Sequence, residues 1–481
     1  MKRTLAVLSM AGMLLTGCAG MKGIGPSAQM LDARDLDLPA TISRDAQALG
    51  PSIDWWTSFG DPQLDKLVAE ALNDNPNLRI AAARVTKAQA GVELARSADW
   101  PQVNGQLDLN RQKFSSNHIY PAPLGGSIVN MGNLQVGSSW ELDFFGKNSG
   151  HLQAALGQAL AAEAERDAAR VLLSANVVRA YLQWARLLEQ REVAERMLAQ
   201  RQQILSLVEQ RVKAGLDNLL EVRQSETGLA DTRGSIAALN QQIDASQNAL
   251  AALLGRPRLP EGLSAPKLSR FKSMVVPREL SADWLGRRAD IVAARWRVES
   301  ARGDMQVARA QFYPNINLAG FVGFQSLGFD NMLKSGSFQW GVGPAIRLPI
   351  FEGGRLRAQL RGKSADVDAA IESYNATIIE AMHEVADQSQ AVRAVALQQK
   401  EQGAALRAAE GAYDIAQQRY KADLATYLHV LSAETAVLAQ RRQQVDLAAQ
   451  ALLAQVGLAH AMGGGWKPSP EQGATLVLSS N

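Results

Sequence analysis

Apolar side chains recur at alternating steps of three and four residues through two long stretches of the chain, between Pro123 and Pro257 and between Pro349 and Pro468. Neither stretch contains a proline, and both are rich in Ala, Leu, Gln, Glu and Arg, which favour helices. In the first stretch the apolar positions form two adjacent stripes, along Val171, Ala175, Val178, Leu182 and Ala185 and along Val177, Tyr181, Trp184 and Leu188. Two stripes predict helices packed on both sides, as in a bundle or a cylinder of helices, although one amphipathic face of a soluble bundle also satisfies the period.

Each stretch contains one break and therefore predicts a helical hairpin. Gly215 lies in the first break, where glycine suits the left-handed conformation that ends a helix. Asp423 takes the matching position in the second break, and aspartate tolerates that conformation better than most residues. The predicted first arms cover residues 150–213 and 355–420, each about 96 Å long at 1.5 Å per residue. The predicted second arms, residues 217–254 and 424–460, are shorter.

Two shorter helices are predicted ahead of the strands. The first covers residues 62–99, with Asp61 as its N-cap and a break or kink at Asn75-Pro76. The second covers residues 283–312. Stacked end to end with a second arm, either helix would roughly match the length of a first arm.

Two pairs of segments alternate between apolar and polar residues, and this period of two predicts strands. The apolar positions of the first pair are Val103, Leu107 and Leu109, then Val136, Trp140, Leu142 and Phe144. Those of the second pair are Ile316, Leu318, Val322 and Phe324, then Trp340, Val342, Ile346, Leu348 and Ile350. Strands of about 10–13 residues can cross a bilayer when tilted, with polar loops at 113–131 and 326–337. A small soluble sheet that caps a helical bundle is the alternative.

The second half of the chain repeats the first. Adding 213 to the residue number aligns Ala95-Arg96 with Ala308-Arg309, and adding 208 aligns Gln210-Arg211 with Gln418-Arg419. Two offsets that differ by five residues indicate one duplicated unit with small changes in its loops. Because four strands cannot close a membrane barrel, and open edges are not tolerated in lipid, the strands of several chains must combine if they cross a membrane.

The N-terminus predicts export and lipidation. Lys2 and Arg3 precede a short apolar run, which is typical of a signal peptide over residues 1–17. Cys18, the single cysteine of the chain, follows Leu15-Thr16-Gly17 in a pattern that resembles the bacterial lipobox. An ordinary cleaved signal with an incidental cysteine is the alternative. Ala19, rather than aspartate, favours export of such a lipoprotein to the outer membrane.

Composition and motifs argue against an enzyme. The 50 Lys and Arg residues nearly balance 47 Asp and Glu residues, so no basic field predicts nucleic acid as a partner. The five histidines lack metal-ligand spacing, and Gly463-Gly464-Gly465 lacks the lysine of a phosphate-binding loop. We therefore expect no catalytic residue, no metal and no cofactor.

Several motifs resemble those of a known family. They are Trp55-Trp56, Phe59-Gly60-Asp61-Pro62, the run Trp140-Glu141-Leu142-Asp143-Phe144-Phe145-Gly146 and the run Leu348-Pro349-Ile350-Phe351-Glu352-Gly353-Gly354-Arg355. On these motifs the chain resembles the TolC/OprM class of outer-membrane efflux proteins, in its NodT-like lipoprotein branch, over about residues 50–460.

The resemblance implies an assembly and its partners. The expected fold class is mainly α with a small membrane β part: duplicated strand–helical hairpin–strand repeats that form a homotrimer, with a 12-stranded β-barrel continuing into a 12-helix periplasmic α-barrel. The implied partners are outer-membrane lipid, a periplasmic adaptor (membrane fusion) protein and an inner-membrane transporter, commonly of the resistance-nodulation-division type. The implied location is the outer membrane of a Gram-negative bacterium, with the helices extending into the periplasm.

The resemblance also implies site residues. The adaptor would contact the hairpin tips at Arg211, Gly215, Leu216, Arg419 and Leu424. Leu428 matches an apolar residue that closes the channel at its periplasmic end, although a plain helix-packing role is equally compatible. Ser432 occupies the position, one helical turn further on, at which family members commonly carry the acidic residue of a carboxylate ring. Asp423, His429 or Glu434 is expected to supply polarity nearby. Asp423 also replaces the glycine usual at the second tip, so the two tips are not expected to be fully equivalent.

The sequence therefore predicts an outer-membrane channel of a tripartite pump that exports drugs or other small toxic compounds. An outlet for type I protein secretion would share this fold, whereas a periplasmic adaptor would carry one hairpin between compact β domains. The predicted divisions are a signal peptide (1–17), an acylated extended segment (18–60), the first repeat (61–260), a linker (261–282), the second repeat (283–462) and a flexible tail (463–481).

Overall fold

The computed structural model describes residues 20–31, 42–43, 51–274 and 280–467. The predicted signal segment and Cys18 lie outside these residues, as does most of the predicted C-terminal tail. The described chain is mainly helical with a small sheet. It divides into two compact units. Unit 1 takes its described residues from 1–30, 84–162 and 293–375, and unit 2 from 31–83, 163–292 and 376–481.

The helices repeat with the two offsets found in the sequence. The α-helices of the described chain are α1 (Pro62–Asp74), α2 (Pro76–Ser97), α3 (Lys147–Lys213), α4 (Leu219–Leu253), α5 (Ala289–Ala310), α6 (Arg355–Lys421) and α7 (Tyr427–Ala461). The first residues of α2 and α5 lie 213 apart, and those of α3 and α6 lie 208 apart. Helices α3 and α6 each contain 67 residues, which corresponds to about 100 Å.

The start of α1 and its break from α2 follow the prediction. The Asp61 carboxylate accepts hydrogen bonds from the backbone N–H groups of Gln63 and Leu64, at 2.9 and 3.3 Å. The Asn75 side chain accepts from the Asn77 N–H at 2.8 Å and donates to the Leu253 carbonyl at 2.7 Å. Because Pro76 has no N–H to continue α1, these bonds begin a second helix instead.

The helix predicted from residue 283 begins later. Residues 282–287 form a 3-10 segment, and α5 starts at Ala289. Between them, the buried Arg288 donates to Asp290 at 2.7 Å, to Glu384 of α6 at 2.7 Å and to the Ala461 carbonyl of α7 at 2.8 Å. These tertiary hydrogen bonds fix the junction, and no local sequence pattern predicts them.

The same junction holds a partly buried charge cluster in unit 2. Besides Arg288, the Glu384 carboxylate contacts His460 Nδ1 at 2.9 Å. Burial raises the pKa of Glu384, but the bonds to His460 and Arg288 outweigh it and hold the pKa at about 2. The cluster therefore joins the start of α5 to α6 and α7 through an ionised carboxylate.

Four antiparallel strands form the sheet of unit 1 in sequence order. They are β1 (Gln102–Lys113), β2 (Ile128–Leu142), β3 (Asn315–Leu327) and β4 (Phe338–Arg347). Leu107 pairs with Leu134, which pairs with Phe324, which pairs with Phe338. The first and last strands of the order leave an edge on each side of the described sheet.

The strand ends differ from the prediction in three places. The predicted strand residue Phe144 lies beyond β2, because Asp143 turns back to accept the backbone N–H of Lys147 at 2.6 Å and of Ser149 at 2.8 Å. Leu348 and Ile350 lie beyond β4, because Pro349 between them has no N–H for a ladder. The first loop is also shorter than predicted, since β2 already begins at Ile128.

Each unit has its own apolar core. In unit 1, Val298 of α5 packs with Leu360 and Val367 of α6. In unit 2, the buried aromatic residues Trp55 and Phe59 pack with Tyr181 of α3. The tyrosine hydroxyl donates to Asp61 at 3.0 Å, so the sequence motif around Trp55 and Asp61 is a buried aromatic cluster tied to a helix start.

Small residues let α3 and α5 approach closely in unit 1. A Cβ atom added at Gly157 would lie 2.7 Å from the Ser300 backbone nitrogen, and one added at Gly303 would lie 2.5 Å from the Ala154 nitrogen. Backbone atoms cannot move aside as a flexible side chain can. These two glycines therefore set the distance between the helices.

We expect Gly303→Ala to destabilise the protein by about 1–3 kcal/mol, because the added methyl group overpacks the α3–α5 contact. Gly362→Ala on α6 is the matched control: no atom lies within 4 Å of its added Cβ, so alanine should be neutral or stabilise the helix. Thermal unfolding of the detergent-solubilised protein, followed by circular dichroism, measures both. Equal unfolding midpoints would contradict the close approach.

Candidate functional site: the hairpin tips and the sheet faces

The two hairpin tips have the same backbone. Gly215 has a φ of 74° and Asp423 a φ of 59°, so both residues occupy the left-handed region that the sequence predicts. The N–H of Leu216 donates to the Arg211 carbonyl at 2.9 Å, and that of Leu424 donates to the Arg419 carbonyl at 2.8 Å. Aspartate thus replaces glycine without changing the turn, at a conformational cost of about 1–2 kcal/mol. The expected difference between the tips lies in their side chains.

A cluster of polar side chains joins the first tip to the second. Arg211 donates through Nε to Asp217 Oδ2 at 2.8 Å and through its terminal nitrogen to Asp423. The hydroxyl of Tyr420 donates to the same Asp217 oxygen. The guanidinium carbon of Arg211 also lies 4.7 Å from the centre of the Tyr420 ring, which places a cation over an aromatic face. We call these four residues the tip cluster.

Within the tip cluster, Asp217 is ionised and Tyr420 is neutral at neutral pH. Partial burial raises the pKa of Asp217, but the bonds from Arg211 and Tyr420 outweigh it and hold the pKa below its usual range. Burial, together with the bond to the Asp217 carboxylate, raises the pKa of Tyr420. The phenol therefore stays a donor and the carboxylate stays an acceptor. The lowered pKa of Asp217 and the raised pKa of Tyr420 both favour this donor–acceptor pair. The cluster is therefore a directional network of hydrogen bonds between the hairpins.

The predicted adaptor-contact residues separate into two groups. Gly215, Leu216, Arg419 and Leu424 are exposed at the tips. The Arg211 side chain is only 11% exposed, because it is bound within the tip cluster. The first group is available to a partner, and its contact with an adaptor stays a prediction. Arg211 instead holds the two tips together.

The predicted gate residues lie on one face of α7. Leu428 is 61% exposed, so it is not a core residue of this chain. Ser432, one turn further along, is also exposed. Glu434 lies about 120° away around the helix and is 2% exposed. Glu434 therefore cannot supply polarity on the face of Leu428, as the sequence suggested it could. The gate role of Leu428 and Ser432 stays a prediction.

Glu434 belongs to a second link between the hairpins. Arg201 of α3 donates to Glu434 Oε2 of α7 at 2.9 Å, to the Gly228 carbonyl of α4 at 2.5 Å and to Thr232 Oγ1 at 3.0 Å. Burial raises the pKa of Glu434 despite the nearby guanidinium. One buried cation thus connects three helices below the tips.

Sequence reasoning did not single out Asp217, Tyr420 or Arg201 as site residues, and it named Glu434 only as a source of polarity near the gate. Asp217 stands within the tip motif and Tyr420 directly precedes Lys421, but neither belongs to a motif that requires its side chain. The partners lie more than 200 residues apart, and only the packing of the hairpins brings them together. A search for charged residues at positions related by the repeat offset would not pair them.

The sheet has one apolar and one polar face, as the period of two predicts. The side chains of paired residues point to the same face of the sheet, so the register assigns each paired residue to one of the two faces. The apolar face includes Val103, Leu107, Leu109, Leu134, Val136, Trp140, Ile316, Leu318, Val322, Phe324, Phe338, Trp340, Val342 and Ile346. The polar face includes Asn104, Gln106, Asp108, Asn110, Asn133, Gln135, Glu141, Asn315, Asn317, Gln325, Gln339 and Arg347. Most side chains of the apolar face are exposed in the single chain.

Other functional features are not found in the described part of the chain. Within residues 20–31, 42–43, 51–274 and 280–467, no group of His, Cys, Asp and Glu side chains is arranged to hold a metal ion. No helix among these residues combines the length and apolar character needed to cross a membrane.

Comparison with known proteins gives a consistent picture. The chain matches the family model of the outer membrane efflux protein over residues 67–256 and 280–464. It is 38% identical over 372 residues to the fusaric acid resistance protein FusA of Burkholderia cepacia, covering 76% of this chain and 70% of that protein. It is 32% identical to the pyoverdine export outer membrane protein OpmQ of Pseudomonas putida, covering 88% of this chain and 90% of that protein. The crystal structure of the outer membrane protein VceC of Vibrio cholerae is similar at 35% identity with a TM-score of 0.81, covering 87% of this chain and 100% of that one.

We expect Asp217→Asn to loosen the tips, because the neutral amide weakens the bonds to Arg211 and Tyr420 together. Amide hydrogen exchange should become faster at residues 211–219 and 420–428, by about tenfold for each 1.4 kcal/mol of lost local stability. Asp231→Asn, an exposed change of the same kind on α4, should leave the exchange at both tips unaltered. Unaltered exchange in Asp217→Asn would mean that the tip cluster does not hold the hairpins together.

Proposed function

Because this chain belongs to the outer membrane efflux protein family, we propose that it is the outer-membrane channel of a tripartite efflux pump. It serves as a passive conduit that takes small toxic compounds from an inner-membrane transporter to the exterior. The observation that supports this most strongly is the two-faced sheet with an edge on each side.

The sheet supports an assembly of several chains. Its apolar face suits lipid and its amide-rich face suits water, but edge backbone groups cannot remain unpaired in a bilayer. Pairing β1 of one copy with β4 of the next satisfies both edges and continues the same two faces. Three copies give a barrel of 12 strands, above the minimum of eight known for single-chain barrels. A homotrimer with an apolar outer wall and a polar lumen follows from this arrangement.

The hairpins supply the periplasmic part of the proposed channel. Helices α3 and α6 of about 100 Å are far longer than globular helices require, and the two apolar stripes of α3 suit packing within a ring. Three copies with two hairpins each give a cylinder of 12 helices. Its tips would meet a periplasmic adaptor protein through Gly215, Leu216, Arg419 and Leu424, and the adaptor would connect the channel to a resistance-nodulation-division type of transporter.

The described N-terminal segment supports lipid anchoring. The Arg357 side chain in the first turns of α6 donates to the Gly20 carbonyl, and Asp368 accepts the N–H groups of Ser27 and Ala28 at 2.7 and 2.8 Å. Met21 packs on the apolar core of unit 1. Gly20 is therefore fixed near the helix start that follows β4. Acyl chains on Cys18, two residues earlier, would enter the membrane at that level.

The relatives favour small molecules as cargo over secreted proteins. Their names concern fusaric acid resistance, pyoverdine export and, for a relative 32% identical over 429 residues, toluene efflux. A type I protein-secretion outlet would have the same fold and remains the second candidate. Cargo selection by the transporter, rather than by the outlet, agrees with a conduit that needs no substrate pocket.

The tips provide a gate in this proposal. Three Leu428 side chains on the lumen side would close the channel by steric contact and by excluding water. The tip cluster would hold each pair of hairpins in the closed position. The exposure of Leu428 in the single chain supports this role, since a core leucine would be buried.

We expect the purified, acylated protein to conduct ions in planar lipid bilayers and Leu428→Ala to raise the conductance of the resting channel at least severalfold, because the constriction widens and becomes wet. Leu424→Ala is the matched control. It removes an equally exposed leucine of the same tip but leaves the proposed constriction intact. Absence of current from both the acylated wild-type protein and Leu428→Ala would overturn the channel assignment, and equal currents from the two variants would overturn the gate.

Deletion of the gene should sensitise cells to hydrophobic drugs, because a pump without its outlet cannot clear them. The measurement is growth inhibition across a drug panel, together with the protein profile of the culture medium. The Leu424→Ala and Leu428→Ala proteins, expressed in the deletion strain, separate loss of adaptor contact from a leaking gate. Unchanged drug sensitivity with loss of a secreted protein would favour the secretion outlet.

A further inference from the structure

The apolar row of β1 ends in two cations. Val103, Leu107 and Leu109 alternate along the apolar face, and the same alternation places Arg111 and Lys113 on that face at the end of the strand. The partners of these two residues in the ladder are Asn130 and Ile128 of β2. Both cations are exposed, and neither side chain makes a hydrogen bond or ion pair with any residue that the structure describes.

The apolar environment continues up to the level of these cations. A Cβ atom added at Gly132, the partner of Leu109, would lie 2.7 Å from the Met332 sulfur and 3.7 Å from a Leu109 methyl group. Met332 of the loop between β3 and β4 thus covers the same face. The next residue, Leu333, is exposed. Arg111 and Lys113 therefore stand directly at the border of an apolar surface.

Both basic residues of β1 lie on this one face. The opposite face of the strand carries Asn104, Gln106, Asp108, Asn110 and Gln112, with no cation. Charges that merely prevent edge-to-edge association could lie on either face of an edge strand. Arg111 and Lys113 instead lie only in the apolar row, beyond its last leucine. This position suits contact with the charged headgroup layer, which begins where the hydrocarbon of a bilayer ends.

The loop that follows β1 offers a second kind of surface. Residues 114–127 contain no Asp, Glu, Lys or Arg. The His118 ring stacks on Tyr120 at 5.0 Å, and Phe114 meets the same tyrosine edge-on at 4.9 Å. Ile119 between them is 83% exposed. Aromatic side chains combine an apolar ring face with polar atoms. An exposed surface of this kind suits the C–H face of a sugar ring and its hydroxyl groups.

We propose that Arg111 and Lys113 bind the phosphate groups of a phosphorylated glycolipid in the outer leaflet, with the rings of His118 and Tyr120 packed against its sugar. The inference rests on the proposed function, because it takes the apolar face of the sheet as lipid-facing. The end of β1 lies far along the strand from α2, so it is the end that points away from the periplasmic helices. In a trimer, six cations form a basic ring around the outer rim of the barrel.

Binding of fluorescent lipid A to the full-length, detergent-solubilised protein tests this assignment. The variant Arg111→Gln with Lys113→Gln should bind lipid A with two phosphates roughly tenfold more weakly, since each cation near an anionic lipid contributes about fivefold and part of this is screened. Its binding of dephosphorylated lipid A should be unchanged. The charge-conserving variant Arg111→Lys with Lys113→Arg should retain most of the binding.

Lys334→Gln is the matched control. This exposed lysine lies in the loop between β3 and β4 and donates to Asn331 at 2.7 Å, so its loss removes one positive charge outside the proposed pair, half of what the double variant removes. Its lipid A binding should equal that of the wild type. Equal binding by the wild type and the Gln variant, or equal wild-type binding of both forms of lipid A, would overturn the proposal. Displacement of lipid A by inorganic phosphate alone would identify a free-anion site and overturn it as well.

The sugar contact has its own measurement. Tyr120→Ala should weaken the binding of both forms of lipid A alike, because the ring contact does not depend on phosphate. Unchanged binding of both forms would remove the aromatic part of the proposal. Bilayer conductance separates these failures from failure of the channel. If currents persist in a protein whose lipid A binding does not depend on the cations, only the lipid site is disproved. If neither the wild type nor Leu428→Ala gives a current, the channel is disproved, while the micelle assay still reports on lipid binding.

Discussion

Unpaired backbone groups at the edges of a sheet with one apolar face are the constraint on which the rest of this structure depends. Each edge N–H and C=O group needs a partner, and a hydrocarbon environment offers none. The described chain contains four strands of this sheet and no further strand that covers β1 or β4. In the proposed channel, identical copies supply the missing partners. Oligomerisation is then a condition for the sheet to exist in lipid rather than an addition to it.

The helical part follows from the same repetition. A strand pair and a hairpin occur twice, with helix lengths of 67 and 35 residues kept in both copies. Long helices cannot obtain their stability from intrinsic propensity alone, so their apolar stripes must pack against neighbours. Within unit 1, this packing is reached where Gly157 and Gly303 each let the facing helix come close. Within unit 2, it is reached through the buried aromatic residues around Trp55.

Polar and apolar contacts both connect the two hairpins near their tips. Ile204 and Val208 of the first hairpin pack with buried residues of the second, such as Val430. The tip cluster and the Arg201–Glu434 pair add charges and hydroxyl groups to this connection. Breaking such a network exposes groups that water can solvate, whereas separating an apolar contact would expose surface that it cannot. In the proposed channel, the polar part of this connection is therefore suited to tips that open and close.

The sequence by itself determined the elements and their repetition. Proline-free stretches fixed the hairpins, glycine and aspartate fixed the two turns, and the alternation of side chains fixed the faces of the strands, because each of these depends only on near neighbours along the chain. The ends of β2 and β4 follow from local contacts at Asp143 and from Pro349, although the alternation of side chains did not reveal them. Tertiary structure alone decided the late start of α5 at Ala289, the inward position of Glu434 and the union of Arg211, Asp217, Tyr420 and Asp423. Many of the partners involved lie 96 to 233 residues apart along the chain and meet only after the helices have packed.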